Sequence, residues 1–194
     1  VVFSGGKLEY RKGQDLVIAA FRAFQRRHPE ALLLTAWHNA WPRTMAGLET
    51  TGHVQGLPSV DAYGRLALEP WLLANGLPAG SFLDLGVLPN HRMATALREA
   101  DVALFPNRCE GGTNLVAMEA MACGVPVITT RRNGAVERLG PAGAALVVDD
   151  PRDVEGLARA MEEVADPARR AEFREAALGL RPSLDARRHL DEVI

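Results

Sequence analysis

Two short stretches hold the residues whose types and spacing could do chemistry. Residues 5–13, Gly5-Gly6-Lys7-Leu8-Glu9-Tyr10-Arg11-Lys12-Gly13, form a glycine-bounded polar loop with three cations. Residues 109–128 read as a glycine loop through Gly111 and Gly112, a short helix stopped by Gly124 and Pro126, and an apolar strand; Glu110 precedes the loop and Glu119 lies inside the helix. Small residues let a backbone approach a ligand, and a helix N-terminus offers unpaired N–H groups and a positive dipole end. That combination suits an anion. Taken alone, the second stretch reads more readily as an ordinary loop and core helix. With Lys7 and Lys12 in a glycine-bounded loop beside it, a diphosphate site and a merely solvated pair of lysines become about equally good readings. No Gly-Lys-Ser/Thr follows a four-residue spacer and Gly5-Gly6 lacks the third glycine of a dinucleotide fingerprint, which argues against magnesium-dependent phosphoryl transfer. No His, Cys, Asp and Glu pattern points to a metal, and none is expected.

Positioning these loops requires strands ahead of them. Apolar runs at 1–3, 31–36, 81–85, 101–106, 125–130 and 144–148 alternate with helical periodicity, so the sequence predicts an α/β fold: a doubly wound, Rossmann-like parallel sheet of about six strands with helices on both faces. Residues 14–24 repeat apolar side chains at helical steps, with Asp15 near the start and Arg26, Arg27 and His28 near the end, as the helix dipole favours. A short helix is expected at 44–50, a helix bent or split by Pro70 at 60–74, one at 90–100 with Asn90 as N-cap, one at 134–139, and one running from Asp149-Asp150 to about 165. Pro167 opens a further helix and the tail from Ser183 a last one. Residues 1–165 are read as the ligand-binding domain and 166–194 as a helical extension. Ligands of such sheets bind at the carboxyl ends of strands, where both loops fall. The tryptophans flanking His38, Trp37 and Trp41, could stack on a flat ligand but read more readily as packing groups.

The chain has 194 residues, 47% hydrophobic and 24% charged, enough for a core without disulfides or metal. A formal charge of −2 gives no global field for nucleic acid or an anionic membrane. Two cysteines, Cys109 and Cys123, in no ligand pattern suit a reducing, cytoplasmic setting. No run approaches a membrane span. A start on Val1 rather than methionine suggests that residues upstream are missing.

Gly6-Lys7-Leu8-x-x-x-Lys12-Gly13 resembles the Gly-Arg-Leu-x-x-x-Lys-Gly loop of the C-terminal, donor-binding domain of GT-B glycosyltransferases, especially the retaining family 4 enzymes. Residues 100–106 and the run Glu119-Ala120-Met121-Ala122-Cys123-Gly124-Val125-Pro126-Val127-Ile128 resemble that family's most recognisable block. Thr113-Asn114-Leu115-Val116-Ala117-Met118-Glu119 is also similar to a run in trehalose-phosphate synthases. The resemblance covers residues 1 to about 148. It implies a nucleotide-diphosphate sugar donor, with Lys7 and Lys12 on the diphosphate beside Gly5 and Gly6, and amides around Gly111, Gly112, Thr113, Asn114 and Leu115 in support. It implies ribose hydroxyls on Glu119, the base beside the backbone of Val87 and Leu88, and no metal or other cofactor. The acceptor, a glycan, lipid or small molecule, would bind an N-terminal domain absent from this chain, so the chain alone is expected to be inactive. Full-length enzymes of this kind can associate peripherally with membranes.

The resemblance breaks at three places. Lys7 replaces an arginine, and Trp37-His38-Asn39 replaces a glycine-rich turn. Gly111 stands where the family's first acid is expected, with Glu110 one residue earlier; a bulge at Gly111-Gly112 would return Glu110 to the sugar. A non-catalytic sugar-nucleotide-binding module and a GT-B-like sugar-nucleotide epimerase remain the alternatives.

Overall fold

The computed structural model describes residues 1–112, 114–139 and 143–184. Strands β1 (Val2–Lys7), β2 (Leu33–His38), β3 (Phe82–Asp84), β4 (Val102–Phe105), β5 (Val127–Thr130) and β6 (Ala145–Val148) form one sheet. Their order is β3-β2-β1-β4-β5-β6, and every neighbouring pair is parallel. The chain therefore winds outward from β1 to β3, returns to β4 beside β1, and winds outward the other way. This is the doubly wound α/β fold the sequence predicts.

Helices α1 (Gln14–Gln25), α2 (Leu68–Ala74), α3 (Asn90–Arg98), α4 (Leu115–Ala122), α5 (Val136–Leu139), α6 (Val154–Ala165) and α7 (Pro167–Gly179) connect and cover the strands. Strand alternation divides the core in two. Val2, Leu33, Val102 and Leu104 pack on one side with Leu16, Phe21 and Phe24 of α1 and Leu157, Met161 and Val164 of α6. Phe3, Leu34, Ala103 and Phe105 pack on the other with Leu97 of α3, Ala117 and Met121 of α4 and Ala177 of α7. Each fully buried Leu or Phe in these clusters stabilises the fold by about 1.5–3 kcal/mol. Because α1 and α4 leave for opposite faces, the connections after β1 and β4 part and open a crevice at the strand ends.

Several local expectations need correction. Gly5, Gly6 and Lys7 belong to β1, paired in register with Ala36, Trp37 and His38, rather than to the following loop. Gly5 is needed there because a Cβ would stand 2.9 Å from the Phe3 ring and 3.3 Å from Val116. The helix expected at 60–74 is only α2: Pro70 falls in its first turn, where a missing N–H costs nothing. Upstream, Asp61 accepts hydrogen bonds from the amides of Tyr63 and Arg65, and the chain turns back to bridge Val60 with Leu66. Residues 44–50 contribute only tight 3-10 turns, Pro42–Met45 and Glu49–Thr51. Pro89, not Asn90, holds the N-cap position of α3. Asp153, not Asp149 or Asp150, caps α6, accepting from the amide of Gly156 at 2.7 Å. The helix opened by Pro167 is present as α7, which packs back on α4 and α6. A 3-10 turn spans Arg181–Leu184, and the last helix expected from Ser183 falls on residues 185–194, which lie outside the described residues.

Candidate functional site

The connection after β1 is a tight turn held from within. Leu8 is fully buried and its amide donates to His38 O at 3.1 Å. Gln14 accepts from the amide of Glu9 at 3.2 Å and donates to Lys7 O at 2.5 Å, pinning the turn to the start of α1. Tyr10–Lys12 then makes one 3-10 turn, and Gly13, at φ 76°, enters α1. A Cβ on Gly13 would stand 2.3 Å from Pro106 O, so this turn lies directly on the connection after β4.

Arg108 ties the two connections together. Its guanidinium donates to both carboxylate oxygens of Asp15, at 2.7 and 2.5 Å, and to Tyr10 O at 2.8 Å, and it lies 4.4 Å over the Tyr10 ring. The Asp15 side chain is 0% exposed. The amides of Arg108 and Cys109 both donate to Arg11 O. Beneath them runs a buried amide network: Asn114 and Asn133 donate to Oδ1 of Asn107, and Asn133 also donates to Thr129 Oγ1. Asn114 accepts from the amide of Ala117 and so caps α4.

Glu110 sits where these parts meet. Its amide donates to Arg132 O at 2.9 Å and its carbonyl accepts from Gly134 N at 3.2 Å, which fastens it to the connection after β5. Its carboxylate accepts from Arg11 Nη1 at 2.9 Å, from Asn107 Nδ2 at 3.2 Å, and from the Lys12 ammonium. Glu110 is bridged to Asn133, and Gly111 and Gly112, the expected place for a bulge, are exposed with open Cβ positions and no left-handed φ.

Lys12 and Glu110 are therefore in contact, and the N-terminus of α4 follows a few residues after Glu110. Lys7 ends β1 on the same edge, its ammonium 4.4 Å over the ring of Trp41. Gly5 and Gly6 lie in β1, with Gly5 against Val116 of α4. Leu115 opens α4 with its side chain 71% exposed, an apolar group left at the crevice. Thr113 lies outside the described residues.

The sequence profile described as "Glycosyl transferases group 1" matches residues 1–166. The chain belongs to that family. It is 31% identical over 183 residues to the GDP-mannose-dependent alpha-(1-6)-phosphatidylinositol monomannoside mannosyltransferase of Mycolicibacterium smegmatis, covering 88% of this chain and 40% of that protein. It is likewise 31% identical over 187 residues to the glycogen synthase of Mycobacterium tuberculosis, covering 93% of this chain and 37% of that protein. The chain thus spans about two fifths of the length of these relatives. In three dimensions it is similar to the C-terminal domain of a glycosyl transferase group 1 family protein from Francisella tularensis, at a TM-score of 0.70 and 17% identity, with 94% of this chain and 84% of that one covered. It is also similar to an E. coli trehalose-6-phosphate structure bound with UDP-2-fluoro glucose, at a TM-score of 0.71 and 19% identity, covering 95% of this chain and 40% of that one. The fold matches that of GT-B glycosyltransferase C-terminal domains.

In this group 1 glycosyltransferase domain two of the remaining expected residues, Glu119 and Val87, each border a cleft. Glu119, on α4, lines a cleft of about 330 Å³ with Asn90, Arg98, Cys123 and Arg181. Burial pushes its carboxyl above the ordinary value of 4.5. Val87, 63% exposed, lines a cleft of about 490 Å³ with Trp37, His38, Asp61, Arg65 and Asp84 at the ends of β2 and β3. Leu88 instead packs against the core on the α4 side. A depression of about 580 Å³ lined by Arg22, Arg26, Pro78 and Ser81 lies at the opposite end of the strands, remote from these residues. Among the described residues no three of His, Cys, Asp and Glu gather to hold a metal, and no helix is long and apolar enough to cross a membrane. Sequence reasoning missed Asn107, Asn133 and Arg108; the signal open to it was a run of polar residues directly after the apolar strands β4 and β5, where the buried ends need internal partners.

Proposed function

We propose that this chain binds a nucleotide-diphosphate sugar as the donor-binding half of a retaining glycosyltransferase, which transfers the sugar to an acceptor hydroxyl. The observation that carries the reading is the convergence of Lys7, Lys12 and the start of α4 on the crevice between β1 and β4. Lys7 and Lys12 hold the diphosphate and stabilise its charge as the glycosidic bond breaks, and the first amides of α4 add dipole support. Glu119 accepts hydrogen bonds from the ribose hydroxyls, and the base lies against the backbone of Val87. Glu110 faces the sugar once the diphosphate has taken Lys12 from it.

Two lysines and a helix end supply the cationic field that a metal supplies in other transferases, so magnesium is not required. The acceptor site belongs to an N-terminal half of the enzyme, and this domain alone binds donor without turnover. A cytoplasmic enzyme suits the two free cysteines. The match to the transferase family supports transfer over epimerisation.

Thermal unfolding of the chain with UDP, GDP and ADP, with and without magnesium, tests the reading. One diphosphate at about a hundred times its dissociation constant should stabilise the fold by roughly 2.7 kcal/mol. A chain that responds to none of them, or only with magnesium, does not have this function.

A further inference from the structure

Lys7, which stands where the family usually has arginine, meets in space the turn that follows Trp37-His38-Asn39, another departure from the family pattern. Lys7 Nζ lies 4.4 Å from the centroid of the Trp41 ring, well inside the range of a cation–π contact. Trp37 is buried and donates to Ser4 Oγ at 3.2 Å, a packing group as the sequence reading has it; Trp41 is 60% exposed and is not.

The turn that presents Trp41 is built from the inside. Asn39 is fully buried, donates to Leu8 O at 2.6 Å and Thr44 Oγ1 at 2.7 Å, and accepts from the amide of Trp41 at 2.7 Å. Thr44 closes the turn by donating to Trp41 O through both its amide and its hydroxyl. An exposed indole on so fixed a backbone costs apolar exposure that packing does not return.

The cations of this loop are held differently. Lys12 and Arg11 share the Glu110 carboxylate, and Arg11 also pairs with Glu9 at 2.7 Å. Lys7 has no carboxylate partner among the described residues. A carboxylate fixes an ammonium by cancelling its charge, whereas an aromatic face fixes it and leaves the charge in place. Composition adds weight: of the 22 lysines and arginines in the sequence only two are lysines, Lys7 and Lys12, and both lie here. A compact ammonium with three donors can rest on an indole and still turn donors to an anion.

We infer that Trp41 is a positioning residue for Lys7, holding its ammonium at the crevice, undiminished in charge, in place for the donor's diphosphate. The inference rests on the donor reading for the identity of the anion; the pairing itself does not.

Reductive methylation with ¹³C-formaldehyde labels only Lys7, Lys12 and the N-terminal amine and keeps their charges. In the empty chain the Lys7 methyl signal, assigned by its loss in Lys7→Arg, should be displaced by the indole ring current. Trp41→Leu should abolish the displacement and Trp41→Phe keep part of it. Calorimetry on the unlabelled chain with the nucleoside diphosphate that binds should show Trp41→Leu weakened about two- to fivefold, with Trp41→Phe recovering most of the loss. An undisplaced Lys7 signal overturns the pairing whatever the chain binds. A displaced signal with undiminished affinity in Trp41→Leu overturns the positioning role. If the wild-type chain binds no nucleoside diphosphate, the donor reading fails, and the ring-current measurement still decides the pairing.

Discussion

Replacing Arg108 by alanine probes the joint on which the site depends. The substitution removes a bidentate partner from a carboxylate that is 0% exposed, a hydrogen bond to Tyr10 O, and the cation stacked on the Tyr10 ring. Leaving one member of a buried ion pair alone costs about 3–5 kcal/mol, a large part of the roughly 5–15 kcal/mol by which a domain is stable. For a chain of this size each kcal/mol lowers the melting temperature by about 2–4 °C, so calorimetric unfolding should show a drop of about 6–20 °C. The cost lies mostly in the stranded Asp15 charge. Converting both residues, Asp15→Leu with Arg108→Met, should therefore restore most of the stability. A drop under about 3 °C in Arg108→Ala, or a double variant less stable than the single one, would refute the buried-pair reasoning.

Two further substitutions separate stability from binding. Glu119→Gln should raise the melting temperature of the empty chain at neutral pH and weaken the nucleoside diphosphate. Burial raises this carboxyl above 4.5, so folding disfavours its charged form; the wild type loses stability as pH rises through the folded value, and the advantage of the variant should vanish below about pH 4, as melting curves across pH would show. Glu110→Gln frees Lys12 and Arg11 from their shared carboxylate. Calorimetry should find the free nucleoside diphosphate bound more tightly; weaker diphosphate binding would contradict a competition between Glu110 and the ligand for Lys12.

The sheet was legible because its strands are short, mostly apolar runs set between helical segments, the pattern of a parallel sheet covered on both faces. Boundaries were less so. The chain through Gly5 and Gly6 looked like loop because glycines punctuate most sequences, yet here they continue β1 where Phe3 and Val116 crowd the backbone. Pro70 looked like a break inside a helix because nothing in the sequence said that the first turn began two residues earlier. At the site, Lys7, Lys12 and Glu110 were visible as charges in glycine-bounded loops. Their pairings were not: Arg11 and Lys12 reach Glu110 across 99 and 98 residues, and Arg108 reaches Asp15 across 93. The asparagines beneath them carry no periodic signal, since a buried amide declares itself only through its partners. Trp41 shows the same limit, for spacing does not say which of two nearby tryptophans faces water.

Titration of the chain with the matching nucleoside monophosphate and diphosphate, in the wild type and in Lys7→Met with Lys12→Met, tests most directly whether this crevice reads a diphosphate. The wild-type chain should bind the diphosphate at least about tenfold more tightly than the monophosphate, a gap of about 1.4 kcal/mol, and the double variant should close that gap. Equal affinities in the wild-type chain, or a gap that survives the loss of both lysines, would contradict it.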